Sequence, residues 1–414
     1  MPAAVPDYLQ NQDFRSASPA MRFGPYFAIW NQNWTKPKDT KADVLKKIGV
    51  LNPDDKDRLS ALVERQKTLA STYQPEILLT IEALAIAPFT TGLGNEHPLE
   101  NGFAFLNPYG LPYLPASGVK GVLRQASREL ASGDWGDSKG WSKEQRFTLK
   151  AGKQEITLSL SDVLFGKETG DGDQNHVRGV LNFWDVVPQI KGDALQVEIM
   201  TPHQKHYYQD GQSPHDSGQP TPICFLTVPP GSAFNFHVTC DLHRLKLLAP
   251  ELLNRHQWKS LLQAAFEHAF NWLGFGAKTA VGYGAFVEDP EAQKRREKQE
   301  SRLAADAEEK ARTERLAQLS PEDQQWEIAQ EVIAVFRAEF VAVKSAGPFN
   351  PGQGTFSQAR LDFIKQALEW QESRSRRAAA DLLAESATKE WGRPGKKERW
   401  QEIQTAIAAL SGNS

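Results

Sequence analysis

Residues Thr90–Arg128 read TTGLGNEHPLENGFAFLNPYGLPYLPASGVKGVLRQASR, a loop crowded with glycine and proline that opens directly onto an amphipathic segment. Val119, Val122, Leu123, Ala126 and Leu130 share one helical face, which predicts a helix from about Gly118 to Ala131. Ser117 offers a cap, and Gly118 and Gly121 leave the first turn uncovered. Such a helix start presents unpaired N–H groups and a partial positive charge, which suits a phosphate. Lys120, Arg124 and Arg128 stand four apart as a basic stripe. The stripe fits an ordinary solvated face as well as a phosphate contact.

Outward from this helix, β-branched runs bounded by glycine and proline predict strands at Ile77–Ala87, Ile156–Phe165, Val180–Val187, Ile223–Val228 and Phe234–Val238. A second helix is expected from about Gln257 to Leu273. Strands alternating with helices point to an α+β or α/β core over residues 76–289. Residues 1–75 read as a helical N-terminal segment, where Asn52 caps, Pro53 fits the first turn, and Leu59, Leu62 and Val63 recur at helical spacing. The run EAQKRREKQESRLAADAEEKARTER after Pro290 has mixed charge and few large apolar residues, so 290–320 is expected to be a charged helix or linker. Amphipathic patterns at Trp326–Phe340, Phe356–Glu372 and Trp400–Leu410 then predict a helical C-terminal domain over 321–414.

The chain has 414 residues, of which 40% are hydrophobic, enough for a large core. Its formal net charge of -3 lacks the strongly basic balance of a free nucleic-acid binder, so any RNA site must be a local basic patch. Cys224 and Cys240 are the two cysteines, and they form no CxxC pair. Neither a disulfide framework nor a zinc ribbon is supported, and a reducing cytoplasm is the natural compartment. The N-terminus, polar and broken by proline, does not read as a signal peptide, and no stretch is apolar enough to span a bilayer.

Two further segments carry candidate chemistry. Leu273–Phe286, LGFGAKTAVGYGAF, places two Gly-x-Gly steps around Lys278 and Thr279 directly after a helix. Its glycines would let backbone amides approach a phosphate, or let two backbones pack closely. A Walker A loop needs glycine where Ala277 stands, and a dinucleotide fingerprint needs a third glycine where Thr279 stands, so an ATP or NAD site is not expected. Ile199–Gln209, IMTPHQKHYYQ, sets His203 and His206 three apart beside Tyr207 and Tyr208. These could act as acid and base on an RNA 2′-hydroxyl, as stacking surfaces for bases, or as ordinary polar loop residues. His-x-x-His alone supplies two ligands, so no metal site is expected. His97, beside Glu96 and near Glu100, reads as a cap or loop bond.

Together GLGNEHPLENGF at Gly92–Phe103, LPYLPASGVKGVLR at Leu111–Arg124, IMTPHQKHYY at Ile199–Tyr208 and GFGAKTAVGYG at Gly274–Gly284 resemble the RAMP superfamily of type III-B CRISPR systems. Within it they are most similar to the family that supplies the sixth subunit of the Cmr complex. The resemblance covers about Glu76–Asp289. It implies a ferredoxin-like, RRM-type core with a projecting β-hairpin thumb, expected within Trp135–Ile156 or Gln209–Thr221. It also implies a non-catalytic subunit, without cofactor or metal, that holds guide RNA near its 3′ end and meets target RNA and sister RAMP subunits. The RNA-binding residues it implies are Gly118, Lys120, Gly121, Arg124, His203, His206, Tyr207, Tyr208, Gly274, Gly276, Lys278, Thr279, Gly282 and Gly284. Lys120, Arg124 and Lys278 would neutralise phosphates, and the glycines would supply backbone amides. The competing reading is an endoribonuclease of the same superfamily that processes guide-precursor RNA with His97, His203 or Tyr207 as acid and base. Two features depart from the family pattern: Leu114–Ser117, where relatives often carry Gly-Ser-Ser, and the long region after Pro290.

Overall fold

The computed structural model describes residues 3–31, 33–35, 41–151, 154–168, 176–201, 207, 211, 213, 222–347, 354–388 and 391–412. The chain divides into two compact units, Met1–Arg296 and Glu297–Ser414. In the first, α1 (Pro19–Phe23), α2 (Lys41–Gly49) and α3 (Pro53–Ser71) precede β1 (Leu78–Ala85). α3 begins where its signals stand. The Asn52 side chain accepts from the Asp55 N–H at 2.8 Å, the Asp55 carboxylate accepts from the Asn52 N–H at 3.1 Å, and Pro53 opens the first turn. α1 and α2 are not a layer apart, because Phe23, Phe27, Ile29, Val44, Leu45 and Ile48 belong to the same buried cluster as the sheet, whereas Leu59, Leu62 and Val63 of α3 form a separate cluster with Leu111 and Val187.

After β1 come β2 (Phe105–Leu106), β3 (Leu111–Pro112), α4 (Ala116–Ser132) and the hairpin of β4 (Arg146–Ala151) with β5 (Gln154–Ser159). The expected strand over Ile156–Phe165 ends at Ser159 and gives way to α5 (Leu160–Phe165). The reason is a capping box. Ser159 Oγ accepts from the Asp162 N–H at 3.1 Å, and the Asp162 carboxylate accepts from the Ser159 N–H at 2.9 Å. Then follow β6 (Gly166–Lys167), β7 (Val177–Arg178), β8 (Leu181–Phe183), the hairpin of β9 (Gln196–Met200) with β10 (Ile223–Thr227), β11 (Ala233–Cys240), α6 (Leu242–Leu248), α7 (Gln257–His268) and β12 (Phe286–Glu288).

The architecture is α+β. Four strands form an antiparallel sheet in the order β12-β1-β11-β8, with Thr80 opposite His237 and Leu84 opposite both Ala233 and Val287. Phe234, Phe236 and Val238 alternate with Asn235, His237 and Thr239 along β11, so the two sets face opposite sides. The aromatic side packs on the helices, with Phe236 against Phe266, Phe270 and Phe275 at ring distances of 5.3, 5.9 and 5.0 Å.

α8 covers Pro290–Ala317. It is followed by α9 (Pro321–Ser345), α10 (Gly354–Glu369), α11 (Ser373–Ser386) and α12 (Lys397–Ser411). The charged run is helical, and its Arg312 and Arg315 pair with Glu331 and Glu327 of α9. This unit has its own core, including Phe336, Phe340, Phe363, Leu383, Ile403 and Leu410. α11 escaped the sequence reading. Its buried face is small, built on Ala379, Ala380, Leu382 and Leu383, and Glu372 caps its first turn. Among the described residues no helix is long and apolar enough to cross a membrane.

Candidate functional site

The glycine-rich loop is built around Phe275, which is fully buried against the sheet. Gly284 and Gly276 make that possible. Both have positive φ, and a Cβ on Gly284 would stand 1.8 Å from the Phe275 carbonyl oxygen, while one on Gly276 would stand 2.3 Å from that of Thr90. The loop's amides are mostly engaged inside the protein. Gly274, Gly282 and Gly284 donate to the carbonyls of Ala269, Thr279 and Pro88, and Phe275 and Ala277 to those of Gly284 and Thr90. The expectation that Gly274, Gly282 and Gly284 offer amides to a phosphate is therefore corrected, since each of these N–H groups is already donated to a main-chain carbonyl. Gly276 is exposed, and Thr279 opens a short 3-10 turn, half-buried.

Lys278 stands apart in this loop. It adopts a left-handed conformation (φ 61°), and its half-buried ammonium lies 5.4 Å from the centre of the Phe225 ring and 2.7 Å from Met200 Sδ. Tyr283 belongs to the same loop. Its hydroxyl donates to Glu198 Oε2 at 3.3 Å, and burial beside that carboxylate pushes the phenol up from its usual range. Phe225, Met200 and Glu198 all belong to the β9–β10 hairpin. The loop thus seats Lys278 at the end of the hairpin where the connecting segment with the histidine and tyrosine motif departs. Among the described residues Lys278 makes no ion pair. His203, His206 and Tyr208 lie outside the described residues, and Tyr207 is 46% exposed. Phe225, Glu198 and Met200 were missed in the sequence because nothing there sets β9 opposite the glycine loop.

The start of α4 forms a second cluster. Ser117 is exposed and does not cap; Pro115 occupies the cap position without a side-chain bond, and the Ala116 N–H donates to Asp185 Oδ1 at 2.7 Å. A carboxylate from a distant segment thus already meets the positive end of this helix. Gly118 donates to the Pro115 carbonyl, and Gly121 lies inside the helix with open space where a Cβ would be, so neither is the amide donor expected. Lys120 is half-buried in a cleft with Arg178 and Phe183. Arg124 departs from expectation. It is 9% exposed, with Nη2 donating to the Gly166 carbonyl at 3.1 Å and Nη1 at 2.5 Å from Glu168, so it is a core tether and not an open phosphate contact.

His97 is structural. The Leu99 N–H donates to Nδ1 at 3.1 Å, Nε2 bonds the Phe23 carbonyl at 2.7 Å, and the ring stacks on Phe23 at 3.8 Å. The second face of the sheet is no open platform for bases, because Asn235, His237 and Thr239 are all buried. Among the described residues no cluster of His, Cys, Asp and Glu could hold a metal ion. The β4–β5 hairpin overlaps the first segment expected for a thumb; of the second, only Gly211 and Ser213 are described.

The family model that describes the RAMP superfamily matches residues 82–287, the stretch that contains most of the sheet, α4, α7 and the glycine loop. The chain is a RAMP superfamily protein. It is similar to the CRISPR system Cmr subunit Cmr6 of Pyrococcus furiosus, 30% identical over 231 residues that cover 48% of this chain and 64% of the relative. The chain thus spans just under two thirds of that relative's length. It is also similar to the Cmr6 subunit of Saccharolobus solfataricus, 23% identical over 290 residues, 68% of this chain and 84% of that one. Among solved structures, a chain of the type III-B Cmr-beta complex bound to cognate target RNA matches with a TM-score of 0.38 and 19% identity over 61% of this chain and 71% of that chain. The Pyrococcus furiosus Cmr6 crystal structure matches with a TM-score of 0.28 and 27% identity over 52% of this RAMP protein and 100% of the matched chain.

Proposed function

We propose that this RAMP protein is a non-catalytic scaffold subunit of a type III-B CRISPR effector complex, holding guide RNA near its 3′ end beside target RNA and sister RAMP subunits. Two relatives named as Cmr6 support the assembly. A ferredoxin-like core is part of this reading. It is supported by a sheet in which the fourth, first, third and second strands of the core lie side by side, with α4 after the first and α7 after the third. The observation that carries RNA holding is Lys278, a half-buried cation held by Phe225 and Met200 without a carboxylate partner among the described residues. A cation in that state is offset by an anion from outside, and a phosphate contact of this kind adds affinity without reading sequence.

The test is RNA retention by the assembled complex carrying Lys278→Ala, measured over a salt series. Affinity should fall equally for RNAs of different sequence, and the salt slope should fall by about one unit. Binding and slope equal to wild type at every salt concentration would defeat the assignment. The endoribonuclease reading loses His97, whose two nitrogens are occupied by Phe23 and Leu99.

A further inference from the structure

We propose that a second cleft, walled by α4, the segment entering β4 and the start of α5, binds a backbone phosphate of single-stranded RNA. This rests on the RNA-holding reading above and adds a contact that reading does not include. Arg128, Lys143 and Arg146 converge on a cleft of about 240 Å³ floored by Trp141, which is 2% exposed, with Ser142 and Ser161 on its wall. None of the three cations has an ion pair among the described residues. Arg146 donates to main-chain carbonyls, those of Lys143 and Gln145. The cleft's one carboxylate, Asp162, accepts from the Ser159 N–H and hydroxyl at 2.9 and 2.7 Å and forms no ion pair with any of the three, so the cleft keeps an excess of positive charge. A buried group points the same way. Arg124 lines this cleft with its side chain nine-tenths buried, and its Nε has no hydrogen-bond partner among the described residues.

Three like charges gathered from a helix, a loop and a strand repel one another unless an anion lies between them. The serine hydroxyls add neutral donors of the kind phosphate oxygens accept. An extended anion is favoured over a small one by the placement of α4. Lys120 and Arg128 are eight residues apart on it, about 12 Å along the axis, so one strand following the helix would meet both.

The experiment measures anisotropy of a fluorescent single-stranded RNA with the full chain at several salt concentrations. Arg128→Ala/Lys143→Ala/Arg146→Ala should weaken binding at least about tenfold and lower the salt slope by about two, three contacts at roughly 0.7 each. Arg128→Lys/Arg146→Lys, which keeps the charge, should retain most of the affinity. Wild-type affinity and slope in a triple variant that melts like wild type would overturn the proposal. If that variant melts early, Lys143→Glu is read instead, and an unchanged slope there is equally decisive. Inorganic phosphate titrated by calorimetry separates the sources: binding abolished by the triple variant while the RNA slope stays unchanged would assign the cleft to a free oxyanion and overturn the RNA site. Lys278→Ala runs in parallel. A slope lowered by Lys278→Ala but not by the triple variant sinks this site alone, whereas a wild-type chain that binds no RNA sinks both readings.

Discussion

His237 shows how one residue ties burial to pH. It is 3% exposed on the covered face of the sheet, Thr80 Oγ1 lies 3.0 Å from Nδ1, and Nε2 has no partner among the described residues. Burial, with the nearby Lys67 charge adding to it, lowers its pKa to about 4. The unfolded chain therefore takes up a proton near the ordinary histidine value that the folded chain refuses. Stability is full above about pH 6.5 and is lost as pH falls toward 4, by up to about 3 kcal/mol. Urea melts of wild type and His237→Gln across that window check this. The variant should show a flatter pH dependence, and equal slopes would remove His237 as the cause. Its burial was invisible in the sequence, since a lone histidine between Phe236 and Val238 reads only as a strand residue.

At the scale of the element, the glycine loop and the start of α4 were found in the sequence, but most of the amides assigned there to a phosphate are engaged inside the protein. Glycine spacing announces a tight turn without saying whether amides or neighbouring backbone need the space. Here the backbone needs it, and the two outer cases separate cleanly. Gly284→Ala, with its Cβ driven into the Phe275 carbonyl, should destabilise the first unit by about 3 kcal/mol or more. Gly282→Ala meets open space and bears only its positive φ, so it should cost about 1 kcal/mol. Thermal or chemical melts of the two variants check the contrast, and equal losses would mean packing is not what the glycines serve. At α4, Asp185→Ala should cost about 1 kcal/mol by uncapping Ala116. Ser117→Ala should be near neutral in the same melts, which reverses the order expected from sequence.

For the whole molecule, the hydrophobic clusters of the first unit share no residue with that of the second, and each unit is compact by itself. Residues 1–296 expressed alone should therefore melt in one cooperative transition, and 297–414 should fold as a helical unit around Phe336, Phe363 and Leu383. Circular dichroism and calorimetry of both pieces decide this; a non-cooperative 1–296 would make the C-terminal helices part of its stability. The matched family region ends at residue 287, before the second unit begins.

Local signals in the sequence were enough to locate α3, α4, α7 and the strands β1, β8, β10 and β11, because capping residues, apolar period and β-branched runs act over a few residues. They also sufficed for the family, through four ordered motifs. The pairing of strands, the carboxylate of Asp185 at α4, the burial of Arg124 beside Glu168 and the seat of Lys278 on Phe225 and Met200 join residues distant in the chain. Those contacts form only when the chain collapses around a shared core, so only the tertiary structure could decide which basic residues are tethers and which remain open to an anion.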